Sequence, residues 1–354
     1  MPVVLKNTYN ISFFLISLII LLCARIPPDF LWIAGFLAYG IPVILIANLS
    51  LTIFKLVKKR RSAVYPLVIL VLGYGFIKDS FRFHKGDQDG KIKVITFNTR
   101  VFNVYFNNGK DTSSVREMIE WINVQDADIV CLQEFYNDPR SSSFNTLQRI
   151  SRHNGYHYFH SPKVVNRIGA EVGDVIFSKH PIIRRDEISF GENTLNKVIF
   201  ADIVAGTDTI RVYNMHLQSM HIKEDEIINT EAFQSGFKHL IGNLKHGFIQ
   251  RASQIRTLRR NLVKCPYPVI LCGDLNDLPY SYAYQNLSRK LSNGFTSAGN
   301  GFGFTFNGKL FFLRIDNHFF SRELKIHSYK THREMKCSDH FPVSATYSII
   351  DMEK

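Results

Sequence analysis

The stretch Cys337-Ser338-Asp339-His340-Phe341-Pro342-Val343 decides how the rest of the chain reads. An aspartate directly before a histidine, after a small residue and ahead of an apolar run, suits a strand end at a tight turn. Alone, Ser-Asp-His reads equally well as a surface turn. Its company upstream changes that. Gly273-Asp274-Leu275-Asn276-Asp277 follows an apolar strand, and Arg314-Ile315-Asp316 opens another. Leu132-Gln133-Glu134 and Phe97-Asn98-Thr99 end two more. Carboxylates, amides and imidazoles at the tips of buried strands are how an α/β enzyme gathers a polar site from distant sequence.

The chain has 354 residues, 43 basic against 30 acidic, for a net charge of +13. Residues 1–90 hold ten basic and four acidic side chains, leaving a surplus of +7 beyond them. That excess suits an anionic substrate or surface, and equally a basic soluble protein. Five cysteines show no zinc or Cys-x-x-Cys spacing. Cys131 and Cys272 lie inside apolar strand runs and read as buried thiols.

Residues 1–85 differ from the rest. Asn10 to Ala24, Phe30 to Phe54 and Ala63 to Ile77 are almost wholly apolar. A bilayer core takes about 20 apolar residues in a helix, with ~17 as the lower range. The second run meets this outright, and the first and third do so with flanking residues. The reading is three transmembrane helices, over about 10–25, 30–54 and 62–78. A cleaved signal peptide competes for the first run, but no small-x-small site follows it. A core or interfacial helix competes for the third. The loop between runs two and three holds Lys55, Lys58, Lys59, Arg60 and Arg61, against Arg25 alone between runs one and two. Basic loops stay cytoplasmic, so the expectation is a cytoplasmic-membrane protein with everything after Ile77 on the exoplasmic side. Lys78, Arg82 and Lys85 vote the other way. Residues 86–90, Gly-Asp-Gln-Asp-Gly, read as a linker.

From Lys91 the pattern becomes that of an α/β domain spanning 91–350. Short strands are expected at Ile92 to Phe97, Ile129 to Leu132, Asp174 to Phe177, Val269 to Cys272 and Val343 to Ile349. A hairpin is expected around Gly206-Thr207-Asp208. Helical spacing covers Ser113 to Gln125, with Val115, Met118, Ile119 and Ile122 on one face. Ser143 to Asn154 and much of Glu224 to Leu262 are also expected to be helical. Short strands with few helices imply two packed sheets flanked by helices.

Glu134, at an apolar strand end, is either a charge reaching solvent or a hard oxygen ligand for Mg²⁺ or Mn²⁺. Asn98 either makes an Asx turn or orients that ligand. Asp274 and Asn276 alternate with Leu275, so both can point into one site, where Asp274 would orient or deprotonate water and Asn276 donate to phosphate. Asp277 points the other way and caps the turn. Asp316 on an apolar strand is costly to bury unpaired. His340 would satisfy it and fix the imidazole's tautomer, with Arg314 as the alternative partner. His216 is either a satisfied core histidine or a cation facing the phosphoryl group.

The succession Phe97-Asn98, Gln133-Glu134, Asn214-Met215-His216-Leu217, Gly273-Asp274-Leu275-Asn276, Arg314-Ile315-Asp316 and Ser338-Asp339-His340 resembles the endonuclease/exonuclease/phosphatase superfamily over residues 91–350. That family includes deoxyribonuclease I, abasic-site endonucleases, neutral sphingomyelinases and inositol polyphosphate 5-phosphatases. The resemblance implies a four-layer α/β/β/α sandwich and metal-dependent phosphoester hydrolysis by in-line attack of water. It implies Glu134 as principal Mg²⁺ or Mn²⁺ ligand with Asn98 and Asp339 beside it. It further implies Asp274 as the water-activating residue, Asn276 as a phosphate contact, His340–Asp316 as the pair at the scissile phosphate and His216 as a second histidine. Arg100 stands where abasic-site enzymes carry an acidic residue, which weighs against a second metal. The Trp-rich and Cys-Asp-Arg motifs of the 5-phosphatases are missing. A non-catalytic phosphate-binding module is the contrary reading, and the complete Glu, Asp and His set opposes it. Nucleic acid is the expected substrate ahead of choline phospholipid, on the +7 surplus and on Arg251, Arg256, Arg259 and Arg260 as a helical stripe tracking phosphates. The run Phe302, Phe304, Phe306, Phe311 and Phe312 could stack on bases, enter lipid or fill the core. The membrane tether and His216-Leu217-Gln218, which looks like the sphingomyelinase branch, weigh towards phospholipid.

Overall fold

The computed structural model describes residues 3–84, 90–105, 111–191, 194, 196–220 and 230–350. Two six-stranded mixed sheets stack face to face. The first runs β11 (Leu324–Thr331), β12 (Val343–Ile349), β1 (Ile92–Asn98), β2 (Ile129–Asn137), β4 (Glu171–Ser178), β3 (His157–Val165). The second runs β5 (Ile182–Ser189), β6 (Lys197–Ala205), β7 (Asp208–His216), β8 (Val269–Asp274), β10 (Asp316–Phe320), β9 (Ser292–Asn293). Each sheet holds one parallel pair, β1 with β2 and β7 with β8, among antiparallel neighbours. β6 and β7 form the expected hairpin, turning at Gly206 with φ +70°.

Alternation decides the layers. Ile92, Val94, Ile129, Cys131 and Ile176 of one sheet meet Ile199, Ala201, Val212, Ile270 and Cys272 of the other in the central core. The opposite face of the first sheet packs on α6 (Ser113–Val124), whose Val115, Met118, Ile119 and Ile122 are all buried as their spacing requires. It also packs on α7 (Thr146–Asn154), which stops at Gly155 in the left-handed region. The outer face of the second sheet packs on α8 (Thr230–Leu262) through Ile255 and Leu258. All five cysteines are free thiols.

The three N-terminal apolar runs fold as α1 (Val3–Cys23), α2 (Ile33–Tyr39) with α3 (Ile41–Val57), and α4 (Val64–Leu72) with α5 (Tyr74–Ser80). The straight second and third helices expected at 30–54 and 62–78 are instead bent pairs. The chain turns by 46° at Gly40 and by 53° at Gly73. Pro42, which has no N–H to give, opens the second leg of the first pair. Among the described residues no single helix is long and apolar enough to cross a membrane, while both bent pairs are by length and composition. The linker expected at 86–90 falls largely outside the described residues, which resume at Gly90.

The helical region does not hang free of the sandwich. Phe36 and Tyr39 set their rings edge-on to Phe248 of α8, at 5.3 and 5.1 Å. Gly35 lies so close that an added Cβ would stand 2.7 Å from that ring. Arg256 pairs with Asp29 at 2.8 Å, and Arg82 forms a backbone bridge with Gly301.

Candidate active site

Strand register assembles the site. β1 ends with Asn98 beside Gln133 of β2, β7 ends with His216 beside Asp274 of β8, and β10 opens with Asp316 opposite Asp274. Gly273 makes the β7–β8 pairing possible: at φ +133° an added Cβ would fall 2.1 Å from the carbonyl oxygen of Met215, its partner on β7. Below the tips the sheets are tied together. Gln133 Nε2 donates to Asn214 Oδ1 at 2.6 Å, and Asn214 Nδ2 donates to the Leu132 and Val175 carbonyls.

His340 Nδ1 lies 2.9 Å from Asp316 Oδ2, the pairing expected of the buried aspartate. Arg314, the alternative partner, turns away and donates to the carbonyl of Asp79. His340 Nε2 stands 3.8 Å from Asp274 Oδ2. Burial opposes a charged imidazole here, but the carboxylates of Asp316 and Asp274 outweigh it and raise the His340 pKa well above its usual value. Asp274 is pushed up to about 7, chiefly by burial, with His340 pulling it down and Asp316 raising it further.

Asn276 occupies the left-handed region at φ +54° and folds back on Asp274. Its N–H donates to Asp274 Oδ1 at 2.8 Å, and its Nδ2 donates to Asp274 Oδ2 at 3.0 Å and to the Leu217 carbonyl at 2.9 Å. Both amide hydrogens are therefore committed. In this arrangement Asn276 orients Asp274.

Glu134 sits in the left-handed region at φ +48°, at a break in the β2–β4 register between Leu132 and Phe135. The bulge throws its carboxylate off the strand and into the cleft. Asn98 Nδ2 links it to Asp274, at 3.3 Å from Glu134 Oε1 and 3.2 Å from Asp274 Oδ2. Burial raises the Glu134 pKa, with His340 and Asn98 opposing and Asp339 adding to the rise. Asp339 itself is ion-paired to Arg100 at 3.2 Å. His216 bridges two carboxylates, with Nε2 3.7 Å from Glu134 and Nδ1 3.8 Å from Asp174.

Asp174 was legible only as the first residue of a strand. It is fully buried, 3.0 Å from Lys163 Nζ, and burial raises its pKa against the pull of Lys163. The signal was there: a carboxylate inside an apolar strand needs a cation or donor. Lys163, Glu134, His216, Tyr105, Asn196 and Gln218 line a cleft of ≈ 530 Å³. Two groupings could hold a cation. Glu134 with Asn98 and Asp339 offers hard oxygens beside the cleft, with Asp339 and Asp174 adding negative charge to the burial that raises the Glu134 pKa. Asp274, Asp316 and His340 bring three ligand atoms within 4.8 Å of one another, but their atoms are largely spent on each other. The first grouping fits a small hard divalent cation better.

Of the four arginines expected as a stripe on the long helix, only Arg260 stands exposed, and the other three are engaged within the protein. Arg251 is buried and its Nε donates to Asp277 Oδ2 at 2.7 Å, Arg256 is held by Asp29, and Arg259 donates to Asn286.

Residues 95–340 match the model of the Endonuclease/Exonuclease/phosphatase family. The chain belongs to that family. Members of the endonuclease/exonuclease/phosphatase family are phosphoesterases. A second model, described as a domain of unknown function, matches residues 5–80. No curated protein matches the chain. Among solved structures, an endonuclease/exonuclease/phosphatase protein from Beutenbergia cavernae superposes with a TM-score of 0.54 at 17% identity, over 75% of this chain and 72% of that one. The mannosyl-6-phosphatase of Bacteroides thetaiotaomicron gives 0.52 at 16%, over 73% and 100%. The human Nocturnin catalytic domain gives 0.51 at 18%, over 73% and 94%. At such identity these likenesses establish the fold.

Proposed function

We propose that the protein is a divalent-metal-dependent phosphodiester hydrolase held in a membrane by its N-terminal helices. The observation that carries the reaction is the doubly flanked imidazole: His340 between Asp316 and Asp274, with Asn98 linking Asp274 to Glu134. Glu134 with Asn98 and Asp339 would hold Mg²⁺ or Mn²⁺, which supplies charge neutralisation at the phosphate oxygens and the leaving alkoxide. Asp274, oriented by Asn276 and Asn98, accepts a proton from the attacking water. His340, kept charged by its carboxylates and held at Nδ1 by Asp316, donates its Nε2–H to a phosphoryl oxygen as charge builds. His216, against Glu134 and Asp174, would be a second imidazole facing the phosphoryl group.

The membrane reading rests on the outward face of the helices. Val43 and Ile46 of α3 and Val71 of α4 are 65–69% exposed, and Ile19, Ile53, Leu56 and Leu72 are exposed with them. An apolar face of that extent asks for a partner. The basic loop after α3 supports a catalytic domain on the exoplasmic side of a cytoplasmic membrane.

For substrate, phospholipid phosphodiester is favoured over nucleic acid. Loss of the arginine stripe removes one of the two arguments for a polyanion and leaves the charge surplus. Phe302, Phe311 and Phe312 are 52–63% exposed rather than core, and Phe302 stacks with Phe304 and meets Phe81 on the chain leaving α5. Phe306 of the same run sets its ring edge to His340 at 5.7 Å. The deciding experiment uses the full chain in detergent. Bis-p-nitrophenyl phosphate with Mg²⁺ or Mn²⁺, with and without chelator, tests the reaction. Side-by-side turnover of sphingomyelin micelles, plasmid DNA and structured RNA tests the substrate. Activity that survives chelation overturns the metal reading, and cleavage of nucleic acid with intact sphingomyelin restores the polyanion.

A further inference from the structure

The N-terminal helices reach the catalytic strand tips at two partly buried points. At the first, Tyr39 donates its hydroxyl to Asp277 Oδ1 at 2.7 Å. Asp277 is buried, and its Oδ2 accepts from Arg251 Nε at 2.7 Å. Arg251 Nη1 in turn donates to the Gln218 carbonyl at 2.7 Å. The segment braced in this way carries Asp274 and Asn276, and the Leu217 carbonyl bonded by Asn276 adjoins Gln218 and follows His216. At the second point, the Asp79 carbonyl accepts from Arg314 Nη2, beside Ile315-Asp316. The Asp79 carboxylate accepts from Gln285 Nε2 at 2.9 Å and Thr296 Oγ1 at 3.1 Å. Arg314 is buried over the Phe295 ring at 4.2 Å.

A region that served only as an anchor would need one covalent connection to the sandwich. Here it places a tyrosine hydroxyl and the end of a helix against the two segments that position Asp274 and Asp316. We propose that the helical region completes the catalytic centre, with Tyr39, acting through Asp277, and Asp79, acting through Arg314, as positioning residues. This rests on the hydrolase reading given above. Asp277, which the turn alone would use as a cap, is the transmitting group. Its hydrogen-bond partners come from three elements: Tyr39 from α2, Arg251 from α8 and the Leu278 N–H from its own turn.

The test keeps the full chain in detergent and reads kcat and KM for bis-p-nitrophenyl phosphate, at a temperature well below each variant's Tm. Tyr39→Phe should lower kcat about tenfold with KM within about twofold, the scale at which supporting hydrogen bonds act on a site. Asp277→Asn should lower it at least as far. The double variant should be no slower than Asp277→Asn alone, because both changes cut one connection. Asp29→Asn removes a contact of the same interface away from the strand tips and should keep wild-type kcat. Wild-type kcat in Tyr39→Phe, losses that multiply in the double variant, or an equal loss in Asp29→Asn would each overturn the inference while leaving the hydrolase standing. A wild-type chain with no turnover would overturn both.

Discussion

The imidazole of His340 and the carboxylate of Asp274 face each other at 3.8 Å, each raised in pKa, with Asp316 holding the far side of the ring. One group must be charged as a base and the other as an acid for in-line attack by water. The rate should therefore fall as pH drops through about 7, where Asp274 takes a proton, and fall again at alkaline pH as His340 loses one. Asp316→Asn removes a carboxylate that keeps His340 protonated, so the alkaline limb should move to lower pH. A pH–rate profile of both proteins checks the direction; an unmoved limb would refute the assignment.

His340→Ala and Asp274→Ala should each cut turnover by ~10² to 10⁴-fold, the usual contribution of a placed acid–base or electrostatic group. Steady-state hydrolysis of bis-p-nitrophenyl phosphate measures it. Normal turnover in His340→Ala would sink the site.

Glu134→Gln removes the cleft's most available carboxylate. The Mg²⁺ or Mn²⁺ concentration for half-activation should rise and maximal rate should fall with it. A metal titration of activity separates this from Asp339→Asn, where the Arg100 ion pair leaves less charge to lose and the shift should be smaller.

Asp174→Leu should destabilise the fold by about 3 kcal/mol, because it strands the buried Lys163 ammonium. Combining it with Lys163→Met should recover most of that loss. Thermal melts of the three proteins decide the point. Activity need not recover, since His216 loses one of its two carboxylate neighbours in both variants.

Phe302→Ser with Phe311→Ser should lower turnover of sphingomyelin in micelles and spare the soluble diester. Equal loss on both substrates would place these rings in packing rather than at a lipid surface. For orientation, reporter fusions after Gly86 should switch on an export-dependent phosphatase and leave a cytoplasm-only fluorescent protein dark.

The strand tips could be read from the sequence because each is an apolar run that stops at a polar residue, and Phe97-Asn98, Gln133-Glu134 and Gly273-Asp274 do so in their own few residues. The two packed sheets followed from short strands mixed with few helices, the four-layer sandwich from the resemblance, and the amphipathic helix expected over 113–125 from its spacing. What could not be read were choices between partners. Arg251 has helical spacing with three other arginines, yet turns inward because Asp277 offers it a buried carboxylate. Asn276 looked like a donor for substrate, and its amide donates to Asp274 and Leu217. Tyr39 lies in an apolar run that suits lipid, and its partner Asp277 is 238 residues away. Local pattern records which residues want burial, and tertiary contact decides against what.

The docking of α2 and α5 on the sandwich bears on how the enzyme would meet its substrate. A domain on a loose leash sweeps a hemisphere and samples whatever diffuses within its radius. Fastened at Tyr39, Asp79 and Arg82, this cleft keeps a set height and tilt relative to the helix axes. In an enzyme held in a membrane as proposed, selection of substrate would then begin with aim, before any atom of the ligand has touched the site.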